Sequence, residues 1–230
     1  MGFKQKAESF KYVGVRYGML SYKTDADDSH PNLVKRAAKD DNGNVTGNNY
    51  YVEFPAFEGY ITNLNVKDIE FNNKMLTFLE VTLEDGDDRI VLQLKWNHPM
   101  TKYTLAKLPN INYHLPVEFA AGKDKRDYNT LYVKQTGQLI PLYYTREDPK
   151  DKPSWEPLKN KKGDIVSWDS SAEDDFYRNL VVKMNTEQVG SAKNFVESRN
   201  EIIKSEPKIE PVSAPVETFT EDDLEDGMPF

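Results

Sequence analysis

The feature that most constrains this chain is the period of its apolar residues. Across residues 10–144 they recur at alternate positions, in short runs broken by Gly, Asn and Asp. Alternation throws successive side chains onto opposite faces, which suits half-buried strands and not helices. The run FKYVGVRYGMLSY (10–22) reads as a strand, followed by Tyr50 to Phe54 and Gly59 to Glu70. Met75 to Glu84 and Asp88 to Trp96 read as a hairpin across Asp85-Gly86-Asp87, and residues 113–120 and 128–135 as two further strands joined by Gly122 to Asp127. A last extended piece covers Gly137 to Tyr144. Between the first two runs, residues 23–49 are polar, with Asn42-Gly43 as a hairpin tip, and read as a long excursion. One short window, PMTKYTLAKLP (99–109), is compatible with a helix. These elements predict a mainly β domain over residues 1–145, folded as a compact antiparallel barrel or sandwich.

From Arg146 the texture changes. Pro149, Pro153 and Pro157 among Lys and Asp read as a surface arm. After Ser171, Phe176, Tyr177, Leu180, Val181 and Met184 recur at helical spacing, so one helix is expected to pack on the barrel. A second, weaker one is expected from about 191 to 204, which makes 146–204 an arm plus helical extension. Residues 205–230 are proline-punctuated and poor in apolar residues, the composition of a disordered linker and tail.

The chain of 230 residues carries a formal charge of −8, which at first argues against a nucleic-acid partner. The charge is unevenly placed. Residues 206–230 hold eight acids and one base, and residues 1–145 hold 18 of each sign. The acidity is an appendage to a neutral domain.

Several chemistries lack their residues. With no cysteine there is no disulfide framework, thiolate zinc site or cysteine nucleophile, which suits a reducing compartment. The N-terminal MGFKQKAESF has no apolar leader, Lys6 stands where a myristoylation signal needs Ser or Thr, and no apolar run approaches the ~20 residues of a membrane span. A soluble, cytoplasmic protein is expected. His30, His98 and His114 form no metal-binding spacing, and there is no phosphate-cradling glycine loop or dinucleotide fingerprint. Asp40 to Asn44 imitates a calcium loop but puts its glycine fourth instead of sixth. The acids at Asp27-Asp28 and Asp85-Asp87-Asp88 fall in turns and read as solvated loops. No catalytic residue, metal ligand or cofactor is expected, and the chain reads as a non-enzyme.

The aromatics are more informative, with 20 of 27 in residues 1–145. In 10–22, Val13, Val15, Tyr17 and Met19 would face the core and Tyr12, Arg16 and Tyr22 the other side. Met75, Leu79, Val81 and Leu83 would face in, with Phe78 opposite. Ile90, Leu92 and Leu94 oppose Arg89, Gln93 and Lys95, and Leu131 and Val133 oppose Tyr128, Tyr132 and Lys134. Exposed rings interleaved with cations form a platform on which unpaired bases stack while Lys and Arg meet the phosphates. Burial of the same rings under the excursion, arm and helix is the other reading of this pattern. Tyr12, Arg16, Tyr22, Phe78, Arg89, Lys95, Tyr128, Tyr132 and Lys134 are the expected contacts.

The terminus adds a second motif: Asp223-Leu224-Glu225-Asp226-Gly227-Met228-Pro229-Phe230 is acidic and then abruptly apolar at its end. Phe230 and its carboxylate suit an apolar pocket with a basic rim on a partner, with the acids steering the approach. Here the chain resembles the single-stranded DNA-binding proteins of bacteria and their phages, which carry an oligonucleotide-binding (OB) fold, a flexible linker and a tip ending Asp-Asp-Asp-Ile-Pro-Phe. Asp226, Pro229 and Phe230 match, Glu225 keeps an acid, Met228 replaces Ile and Gly227 departs. The resemblance implies a five-stranded antiparallel OB-like barrel with a long insertion, in a divergent phage-encoded member acting in the bacterial host cytoplasm. It also implies binding of single-stranded DNA in replication, recombination and repair. The tip, with Asp223, Glu225, Asp226, Met228, Pro229 and Phe230, would recruit replication or repair proteins and compete with DNA for the basic groove. Two alternatives are an acidic adaptor or inhibitor binding protein or glycan through its aromatic face, and a metal-dependent nuclease.

Overall fold

The computed structural model describes residues 10–39, 42–71, 73–86 and 88–192. The predicted second helix lies outside these residues beyond its first positions, as does the whole acidic tip.

Alternation becomes strands as expected, and the fold is mainly β. Ten strands form one sheet: β1 (Lys11–Arg16), β2 (Met19–Thr24), β3 (Leu33–Lys39), β4 (Val45–Phe54), β5 (Ala56–Phe71), β6 (Lys74–Asp85), β7 (Asp88–Lys95), β8 (Val117–Lys123), β9 (Asn129–Gln135) and β10 (Gln138–Leu139). The order is β10-β9-β8-β5-β6-β7-β1-β2-β4-β3, antiparallel except where β1 runs parallel to β7. The hairpin β11 (Glu156–Lys159) and β12 (Ile165–Asp169) stands apart as a second sheet. Helix α1 (Pro99–Leu105) follows β7, with Pro99 in its first turn and the His98 side chain accepting from the Met100 amide. Helix α2 (Ser171–Met184) continues into a π-helical turn at Asn185–Val189.

The sheet does not close into a five-stranded barrel. The 23–49 excursion is structured: β3 and β4 pair around the predicted Asn42-Gly43 tip and extend the sheet at one edge. The sheet curls nonetheless, because the apolar rows of its two halves bury against each other. Val13, Leu20, Leu79, Val81, Leu83, Leu92, Phe119 and Val133 are all fully buried in one cluster. Tyr177, Leu180, Val181 and Met184 of α2 join that cluster, so the helix completes the core as its periodicity predicted. The Asn185 side chain also accepts from the Leu64 amide at 2.8 Å, pinning the π turn to β5. Where the curl brings the β1–β2 turn to β9, the Gly18 amide donates to Asn129 Oδ1 at 2.8 Å.

Three expectations need correction. Residues 10–22 are two strands, because Tyr17 and Gly18 take left-handed backbone (φ 54° and 75°) and form a two-residue turn. Tyr17 is therefore an exposed turn residue and Met19 half-buried, neither a core residue. Met75 is 64 % exposed, since the β5–β6 hairpin projects past the core and only Leu79, Val81 and Leu83 reach it. Of residues 137–144 only Gln138–Leu139 pairs as a strand.

Candidate functional site

The two-residue turn decides which side chains meet. Arg16 pairs with Met19 and Gly14 with Ser21, so the face bearing Tyr12 and Arg16 on β1 continues as Ser21 and Lys23 on β2. Tyr22 instead joins the core side, half-buried, its ring 6.4 Å from Phe54. On the other flank of β1, Phe78 of β6 pairs with Lys95 of β7. Together these residues line a cleft of about 480 Å³ whose wall includes Tyr12, Arg16, Lys23, Tyr51, Phe78 and Lys95. Among its lining residues are three cations and no carboxylate.

Arg16 is held in place by Tyr51. Its Nη1 donates to the Tyr51 hydroxyl at 3.1 Å, and the guanidinium lies 5.2 Å from the centre of that ring. Behind it, Glu53 accepts two hydrogen bonds from Arg36 at 2.8 and 2.7 Å, so this buried carboxylate is spoken for. Lys67 stands 5.7 Å from the Tyr12 ring. The Ser21 hydroxyl, buried in the cleft wall, makes no hydrogen bond to any described residue. Buried hydroxyls are normally bonded. This one is an exception, its oxygen closed off from the solvent in the cleft.

Two further clefts abut the first. One, lined by Phe10, Lys11, Tyr12, Tyr22, Lys23, Thr24, Asp28 and His30, shares Tyr12 and Lys23 with it. The other, lined by Arg16, Tyr17, Lys123, Asp127 and Asn129, shares Arg16 and Asn129. The three form one track along β1. Its two acids are both engaged: Lys123 pairs with Asp127 at 2.7 Å, and Asp28 accepts from Thr24 Oγ1 at 2.6 Å and the His30 amide at 2.9 Å. Those bonds, Thr24 first, hold the Asp28 carboxyl below its ordinary range.

Of the residues expected from sequence, Tyr12, Arg16, Phe78 and Lys95 converge on the central cleft and Tyr22 lines the adjoining one. Arg89 sits beside the track, ion-paired to Glu84 at 2.7 Å with its guanidinium 4.4 Å from the Phe10 ring. Tyr128, Tyr132 and Lys134 line none of these three clefts. Tyr128 is exposed at the β8–β9 turn, Tyr132 packs close to Gly122, and Lys134 pairs with Glu118 at 2.8 Å. The tip residues Asp223, Glu225, Asp226, Met228, Pro229 and Phe230 lie outside the described residues. Sequence reasoning missed Lys23, Ser21, Tyr51, Asn129 and Lys123. The signal for the first two was present: a Gly inside a strand pattern marks a break, and a two-residue turn exchanges odd and even positions beyond it.

Among the described residues no group of three or more His, Asp or Glu is placed to hold a metal ion, and no helix is long and apolar enough to cross a membrane. No protein-family model, curated protein or solved structure matches this chain.

Proposed function

We propose that this protein binds single-stranded DNA without reading its sequence, as a non-enzymatic factor in replication, recombination or repair. The observation that carries the reading is the track along β1, where rings and cations alternate and the central cleft has no carboxylate. Each base stacked on such a ring contributes about 1–3 kcal/mol, and neighbouring cations exchange counterions for phosphates. The six residues of β1 span about 17–20 Å at ~3.3 Å per residue, room for about five stacked nucleotides at ~3.4 Å each.

Connectivity supports an OB-like centre within the larger sheet. Strands β5, β6, β7, β8 and β9, with α1 between β7 and β8, supply the five strands an OB fold needs, and β5 pairs both β6 and β8. In that fold the second and third strands and the loop between the fourth and fifth contact oligonucleotides. Their counterparts here supply Phe78 and Lys95, and Lys123 with Asp127. The N-terminal β1–β2 hairpin then stands beside the third strand as an added wall. The acidic tip, on this reading, recruits other proteins of DNA metabolism.

Anisotropy titration of a labelled oligo-dT tests it. Tyr12→Ala should weaken binding about 5- to 150-fold, the loss of one stacked base, while leaving thermal unfolding unchanged. Absence of binding at low salt by the unaltered protein would overturn the proposal. Removing the last eight residues should leave affinity equal or tighter and abolish capture of replication proteins. Weaker DNA binding on truncation would contradict the role given to the tip.

A further inference from the structure

The β11–β12 hairpin takes no part in the core, and every residue of its two strands is exposed. An isolated two-stranded hairpin is marginal in water. This one nevertheless displays Leu158, Ile165, Val166 and Trp168 at 47–63 % exposure. It is fixed at its root. Trp155 Nε1 donates to Glu173 Oε2 at 2.8 Å, Lys152 Nζ pairs with Glu173 Oε1 at 2.7 Å, and Asp169 accepts from the Ser171 amide and hydroxyl where α2 begins. The hairpin is a post rather than a loose loop.

Its charge is polarised along its length. Glu156 and Asp169 face each other at the root. At the turn, Asp164 accepts from the Asn160 side chain at 3.0 Å, while Asn160 Oδ1 accepts from the amides of Lys162 and Asp164. Lys159, Lys161 and Lys162 form no ion pair with any described residue, so the tip from 159 to 164 carries three lysines against one aspartate. Trp168, opposite Pro157, stacks on no other ring and meets no cation among the described residues. Trp96 is buried and Trp155 is tied to Glu173. An apolar surface alone would suit many partners. Trp168 lies one residue pair from the root pair of Glu156 and Asp169 and two from Lys159, so the hairpin offers an open indole below a tip of unneutralised lysines, complementary to a chain of bases and phosphates.

We propose that this hairpin is a second contact for the same single strand, with Trp168 stacking an unpaired base and the tip lysines meeting phosphates. The inference rests on the single-strand reading above. Helix α1 links the two places: Met100 and Thr101 line the central cleft, and the next residue, Lys102, pairs with Asp174 and lies 3.6 Å from Glu173 at the root of the hairpin.

The test uses the full chain and two labelled oligo-dT probes, one of about five nucleotides, roughly the span of β1, and one of about 16, the upper site size of a single OB fold. Trp168→Ala should weaken the longer probe at least about 5-fold and leave the shorter one unchanged, with Trp168→Phe restoring the longer. Lys161→Gln with Lys162→Gln should lower the salt slope for the longer probe alone. The melting temperature should not move, because the hairpin lies outside the core. If Arg16→Ala weakens both probes while Trp168→Ala changes neither, the hairpin contact is wrong and the groove stands. If the unaltered protein binds neither probe, both proposals fall. If Trp168→Ala instead converts a self-associated species to monomer in sedimentation, with DNA affinity unchanged, the hairpin meets a second copy and this assignment is overturned.

Discussion

Replacing Lys23 and Lys95 together by Gln tests the track through its salt dependence. Five cations line the three clefts, namely Lys11, Arg16, Lys23, Lys95 and Lys123. If each neutralises one phosphate, the slope of log affinity against log salt is about −3.5, and removing two cations brings it to about −2.1. From 50 to 200 mM salt the unaltered protein should then lose about 130-fold in affinity and the variant about 18-fold. Neither lysine forms an ion pair with a described residue and both are exposed, so the fold should tolerate the change within about 0.5 kcal/mol. The assay is anisotropy of labelled oligo-dT over that salt range, with Lys183→Gln on the exposed side of α2 as control. An unchanged slope in the double variant, or an equal change in the control, would refute the placement of phosphates along β1.

Other perturbations probe the frame that positions the track. Phe119→Ala, at a side chain with no exposure, should cost about 3–5 kcal/mol in urea unfolding. Gly18→Ala should cost about 1–2 kcal/mol, because φ is +75° and the new methyl would sit 3.0 Å from the Lys123 side chain; a neutral result would contradict the turn geometry. Burial alone would raise the Glu173 carboxyl, but hydrogen bonds from Lys152 and Trp155 and the charge of Lys102 bring it below its ordinary value. Its contribution is present above the unfolded value of about 4.3 and is lost as pH falls through the lower folded value. Glu173→Gln should therefore flatten the acid limb of a stability profile followed by tryptophan fluorescence. At the alkaline end, burial, with Asp151 and Tyr143 adding to it, pushes Tyr144 up to about 12. The fold should lose stability as pH rises from about 10 toward 12, and Tyr144→Phe should reduce that loss.

Much of this architecture is legible in the order of residues. Period-two runs specify strands, period 3.6 after Ser171 specifies α2, and the inward rows Ile90-Leu92-Leu94 and Leu131-Val133 are buried as their spacing requires. These are local properties, set by which face of an element must leave water. Tyr12, Arg16, Phe78 and Lys95 were legible for the same reason, each lying opposite a buried row.

What the sequence left open depends on contacts distant along the chain. The Tyr17-Gly18 turn carried Tyr22 to the core side and brought in Lys23, a swap of parity hidden inside an apparently continuous run. Asn129 joins the track from β9 only because the curled sheet carries it to the Gly18 amide. The parallel pairing of β1 with β7 set Tyr12 against Val91, and β6 in turn brought Phe78 to Lys95. Alternation tells each strand which face is apolar, but not which strand lies beside it. Burial of the shared core by strands far apart in sequence made that choice, and it turned separate rings and cations into one groove.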